Sequence, residues 1–256
     1  MTSKFKNVQS LRSTQEQKLC TTSSSGLPKW RQSPIDISRV AAWSKKFPPL
    51  LLTNYWSNSV NIELANRRLP IMRGGPLKDD EYQFMNVQFR WGPSDCRGAE
   101  HSIDNIWYSM EAQVMHWNTR YGSIDKCYDK SDGISILSYL MQVVGCPGIS
   151  DNPALALITH KLPEIKRTGS TINITPDCLR WMMHACTYPG YYTYTGSLTF
   201  PPYNECVTWI IVPNAIKISS NQTEAFRSLY NHKWEHIVEN YRSQHYLHGR
   251  RIFFAK

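Results

Sequence analysis

Three polar side chains, Gln88, Arg90 and Gln113, decide what chemistry this chain can carry. Asn86 to Gly92 and Met110 to Asn118 both read as strands. Residues two apart on a strand point the same way, so Gln88 and Arg90 look into a common space that Gln113 can enter from the second segment. Two imidazoles at the first pair of positions and a third across from them would build a three-histidine zinc centre. The chain supplies an amide, a guanidinium and an amide instead. A glutamine oxygen is a poor zinc ligand beside imidazole or thiolate. A guanidinium stays protonated and offers no lone pair, and its charge repels a nearby dication.

The elements that position these residues are mostly strands. Strand character, rich in β-branched and aromatic residues, runs over 84–91, 107–117, 134–144, 171–174, 191–199 and 206–218. Leu50 to Thr53 and Val60 to Leu64 are further strand candidates, and Gly74-Gly75-Pro76 marks a turn. Residues 150–165 hold a short helix candidate broken by Pro163. A second helix opens at Ser219-Ser220-Asn221 and runs to Tyr230. Many short strands with few helices predict a mainly β, single domain over residues 28–256. Residues 1–27, polar and rich in Ser, Thr, Gln and Lys, read as a flexible basic tail.

Composition narrows the function classes. The net charge of +9 sits at the ends: residues 1–31 carry +5, residues 227–256 carry +4, and the stretch between is neutral. A nucleic-acid-binding domain would carry its charge on a face or helix of the fold, so no nucleic acid partner is expected. Solvated basic ends are the plain reading, with weak attraction to anionic membranes or acidic partners as the alternative. No apolar run is long enough to span a membrane, and no secretory leader is visible at the N-terminus. The seven cysteines form no C-x-x-C pair, and their odd number suggests reduced thiols in a cytoplasmic protein. Two glycosylation-like triplets, at Asn173 and Asn221, matter only in a secreted chain. The pairs His232/His236 and His245/His248 lack H-E-x-x-H or nearby cysteine pairs, so they read as packing or surface histidines.

A series of motifs carries a family resemblance. In order they are Gln32-Ser33-Pro34-Ile35-Asp36-Ile37, Gly74-Gly75-Pro76-Leu77, Gln88 to Gly92, Ala99-Glu100-His101-Ser102-Ile103-Asp104 and Glu111 to Asn118. Tyr194-Thr195-Gly196-Ser197-Leu198-Thr199-Phe200-Pro201-Pro202 and Glu205 to Ile211 complete the series. Over roughly residues 30–256 it resembles the α-class carbonic anhydrases. The resemblance implies a large, mostly antiparallel twisted sheet with small peripheral helices and a central cleft. In that family three histidines hold zinc, which lowers the pKa of bound water so that hydroxide attacks carbon dioxide. The three ligand positions fall on Gln88, Arg90 and Gln113.

The surroundings of the site match better. The resemblance implies that Thr199 and Glu100 form the hydroxyl–carboxylate pair that orients the zinc-bound hydroxide. It makes Glu111 the carboxylate behind the third ligand, and Met115, Ile136, Leu198 and Trp209 the apolar wall. Phe200 stands where a small polar residue is usual, which narrows the pocket. His101 and His116 match core histidines outside the metal shell. The proton-shuttle histidine is missing from the stretch around 57–60, and the family's N-terminal Trp- and Gly-containing segment is not found before Trp30.

Buried carboxylates require a positive partner. Arg90 is therefore expected to replace the metal's charge, paired with Glu100, Glu111 or both, unless it snorkels out to solvent. The expected protein is a catalytically inactive relative of carbonic anhydrase, without zinc or another cofactor, that binds a protein partner. The alternatives are a zinc-dependent carbonate dehydratase with a rebuilt site and a small-anion-binding protein.

Overall fold

The computed structural model describes residues 3–6, 30–55, 69–144, 150–184 and 190–256. Thirteen strands appear among them. The first are β1 (Ser3–Lys6), β2 (Asp36–Ile37), β3 (Trp43–Lys45), β4 (Leu51–Thr53), β5 (Ile71–Arg73), β6 (Tyr82–Trp91) and β7 (Ser102–Ile103). They are followed by β8 (Met110–Asn118), β9 (Ile134–Val143), β10 (Thr171–Ile174), β11 (Tyr191–Gly196), β12 (Val207–Ile218) and β13 (Phe253–Ala255). Nine of these build one sheet in the order β3-β13-β11-β12-β9-β8-β6-β5-β4. Its pairs are antiparallel except β12–β9 and β13–β3. The expected mainly β fold with a large, mostly antiparallel sheet is the one observed.

Alternation along the central strands sorts the core into two layers. In β9 and β12, Leu137, Tyr139, Ile210 and Val212 pack into one layer. Their neighbours Ile136, Trp209 and Ile211 pack into the other. Both layers are buried, so these strands are apolar on both faces. The helices are small and peripheral: α1 (Pro153–Thr159) and α2 (Ser220–Arg227). Asn152 caps α1 by accepting from the backbone of Ala154 and Leu155. Ser219 and Gln222 form a reciprocal capping box on α2.

Some boundaries differ from expectation, each for a local reason. The strand expected from 107 begins at Met110, because Asp104 and Asn105 adopt left-handed φ values of 50° and 60° and Ile103 and Ile106 close a turn. The strand expected to reach 199 ends at Gly196, where the Ser197 backbone N–H turns to Ser33 Oγ. Helix α2 stops at Arg227, and the Tyr230 N–H leaves to bond the Lys166 carbonyl. Within the expected tail, β1 pairs antiparallel with β10. The rest of that tail, the Val60–Leu64 strand candidate and the 57–60 stretch lie outside the described residues. The basic C-terminal stretch is folded: Arg227 is buried and ion-paired with Asp95 and Glu224. The stretch ends in β13, inside the sheet.

Candidate functional site

The site lies where β6 and β8 pair in the middle of the sheet. Gln88 stands opposite Gln113, and Arg90 opposite Glu111. This register brings the three ligand-position residues together as the strand period requires. Gln113 is fully buried and Arg90 only 5% exposed, so Arg90 does not snorkel outward. Gln88 is half-buried and marks the open side.

Arg90 makes two contacts within the site. Its Nη2 donates to Gln88 Oε1 at 2.7 Å. Its Nε lies 3.1 Å from Glu100 Oε1, an ion pair whose two side chains are 6% and 1% exposed. The Nε–H is not aimed along that line, so the contact adds charge without a hydrogen bond. Glu100 also accepts from Gln113 Nε2 at 2.6 Å and from the Arg242 backbone N–H at 3.0 Å. Gln88, Arg90, Glu100 and Gln113 are thus linked in one chain of contacts.

Glu111 lies deeper and does not pair with Arg90. It accepts from the backbone N–H groups of Glu100 and His101 at 2.9 and 2.8 Å. It also accepts from His101 Nδ1, Ser138 Oγ and Gln113 Nε2 at 2.9, 2.8 and 3.1 Å. Burial alone would raise its carboxyl pKa, but the His101 ring and these donors outweigh it and hold the group below its ordinary value. His101 passes the network on, its Nε2 lying 2.8 Å from the Tyr194 hydroxyl. His116 is also buried, beside Tyr55 and 3.4 Å from the Ser135 carbonyl. Desolvation lowers its pKa to about 4. Both histidines are core members, as expected.

The hydroxyl–carboxylate pair implied for Thr199 and Glu100 is not formed. Thr199 Oγ1 is buried with no hydrogen-bond partner among the described residues. Arg90, Gln113 and the Arg242 backbone contact the Glu100 oxygens instead. Met115, Ile136, Leu198 and Trp209 are buried together as an apolar wall, with half-buried Phe200 packed on them. Two participants were not singled out from sequence. Arg242 acts through its backbone and leaves no side-chain signal. Ser138 had one: it is a hydroxyl inside the apolar run of β9, opposite Gln113.

Known proteins decide the family. The model of the eukaryotic-type carbonic anhydrase family matches residues 16–256. The chain belongs to that family. It is 30% identical to carbonic anhydrase 1 of Oryctolagus cuniculus over 237 residues, which cover 87% of this chain and 97% of that relative. In this carbonic anhydrase-family chain, no group of three His, Cys, Asp or Glu side chains is arranged to hold a metal among the described residues. Nor, among them, is any helix long and apolar enough to cross a membrane.

Proposed function

We propose that this chain is a catalytically silent member of the carbonic anhydrase family, a retained scaffold that works by binding a protein partner. Arg90 is the observation that carries this reading. Its guanidinium fills a ligand position, is buried, and is already neutralised by Glu100. The donor set does not fit zinc. Arginine has no lone pair, Gln88 Oε1 is engaged by Arg90, and an amide oxygen such as that of Gln113 is a poor zinc ligand. Arg90 supplies the positive charge that the buried carboxylate needs, which is the role the metal would otherwise have. The retained Glu100, Glu111 and Thr199 are then parts of a frame without a reaction. Cys96, Cys127, Cys178 and Cys206 are free thiols, which fits a reducing compartment such as the cytoplasm.

The test is metal analysis of the purified protein combined with a carbon dioxide hydration assay. The expected results are no bound zinc and a rate equal to buffer. Stoichiometric zinc with measurable hydration overturns the reading in favour of a residual carbonate dehydratase. A small-anion site at Arg90 and Thr199 is the weaker alternative, because Glu100 already occupies the Arg90 charge.

A further inference from the structure

A second feature lies on the sheet face opposite the candidate site. A cavity of about 430 Å³ is floored by Leu137, Tyr139, Ile210 and Val212. These are the outward neighbours of the residues that wall the candidate site, so the two spaces are separated by the sheet itself. The size falls within the range of small-molecule sites, roughly 300–1,000 Å³.

Register links this cavity to a cationic edge. Leu137 pairs with Ile210, Ile210 with Thr193, Thr193 with Phe253, and Phe253 with Trp43. The next row of the same face runs from Tyr191 through Ala255 to Lys45. One face therefore passes without a break from the apolar floor to β3. Lys45 Nζ lies 4.9 Å from the Phe47 ring centre and 5.0 Å from that of Phe253. Phe47 also lines the cavity, as does Lys256. Lys45 makes no ion pair with a carboxylate among the described residues. The bordering stretches 43–52, 190–193 and 251–256 contain no Asp or Glu at all. At the wall, the Tyr191 hydroxyl is buried without a hydrogen-bond partner among the described residues, and burial pushes its pKa up to about 12, which keeps it a donor.

We propose that this face binds a single-chain anionic amphiphile of the fatty-carboxylate class. The alkyl chain fills the cavity, and the carboxylate meets Lys45 at its mouth. The apolar floor gives affinity in proportion to buried chain. The lysine side chains at the rim, Lys45 and Lys256, set the sign of the head group.

The test is a titration of the full chain with straight-chain carboxylates of eight, ten and twelve carbons, below their micelle-forming concentrations, read by calorimetry. Affinity is expected to rise about four-fold per added methylene, the worth of a buried CH₂. Alkyl trimethylammonium compounds of equal length are expected not to bind. Lys45→Gln, an exposed substitution, should weaken carboxylate binding about three-fold. Leu52→Trp, which fills the cavity from its half-buried wall, should flatten the dependence on chain length. The Arg90→His variant should bind as the parent does, because its site is on the other face. Absence of binding, equal binding of cationic and anionic amphiphiles, or indifference to both Lys45→Gln and Leu52→Trp overturns the proposal.

Discussion

Replacing Arg90 by alanine tests what holds the candidate site together. The Arg90–Glu100 pair is almost fully buried, at 6% and 1% side-chain exposure, with Nε and Oε1 3.1 Å apart. Removing one partner of a buried pair costs about 3–5 kcal/mol, because the other charge stays desolvated. Glu100 keeps two donors, Gln113 Nε2 and the Arg242 N–H, so the lower end, about 3 kcal/mol, is expected. The assay is urea unfolding at pH 7, with the midpoint and slope both fitted. The second arm is Arg90→Ala with Glu100→Gln. The doubly substituted chain should regain about 1–2 kcal/mol over Arg90→Ala, because no buried charge is left unpaired. A loss under about 1 kcal/mol for Arg90→Ala, simply additive with Glu100→Gln, would refute the reasoning and leave Arg90 a bystander.

Other outcomes follow from the same structure. Gln88→His, Arg90→His and Gln113→His together should confer stoichiometric zinc binding by metal analysis, since the register already places the three positions around one space; a triple variant that folds yet takes up no zinc shows that the geometry has drifted. Stability should fall as pH drops from about 6.5 to 4. The folded His116 pKa is near 4, so the unfolded chain binds the extra proton in that window, worth up to roughly 3 kcal/mol. Glu111, held below its ordinary value, loses its contribution at still lower pH, as it protonates. Unfolding free energies measured across pH should show a shallower slope for His116→Gln. Ser219→Ala, which removes the capping box of α2, should cost about 1 kcal/mol by urea unfolding.

The strands were legible because alternation and β-branched content report on burial. Their ends were less so, because they depend on tertiary choices. Asp104 and Asn105 take left-handed φ values to stop one strand early, and Ser33, far away in sequence, collects the Ser197 N–H to end another. The meeting of Gln88, Arg90 and Gln113 followed from the two-residue period. Which carboxylate Arg90 chooses did not follow. It depends on Glu111 being already saturated by His101, Ser138 and two backbone groups, which leaves Glu100 as the acceptor. The basic C-terminal stretch misled because charge counting cannot distinguish a solvated end from a strand inserted beside β3.

The bond from the Arg242 backbone to Glu100 spans 142 residues of chain. During synthesis, every strand that carries the site leaves the ribosome before this last donor exists. The growing protein must hold Glu100 without its full set of partners until Arg242 arrives. Closure of so long a loop is slow, and the waiting state is exposed to mispairing. Premature termination upstream of Arg242 should therefore yield aggregation-prone chains rather than a slightly smaller folded protein.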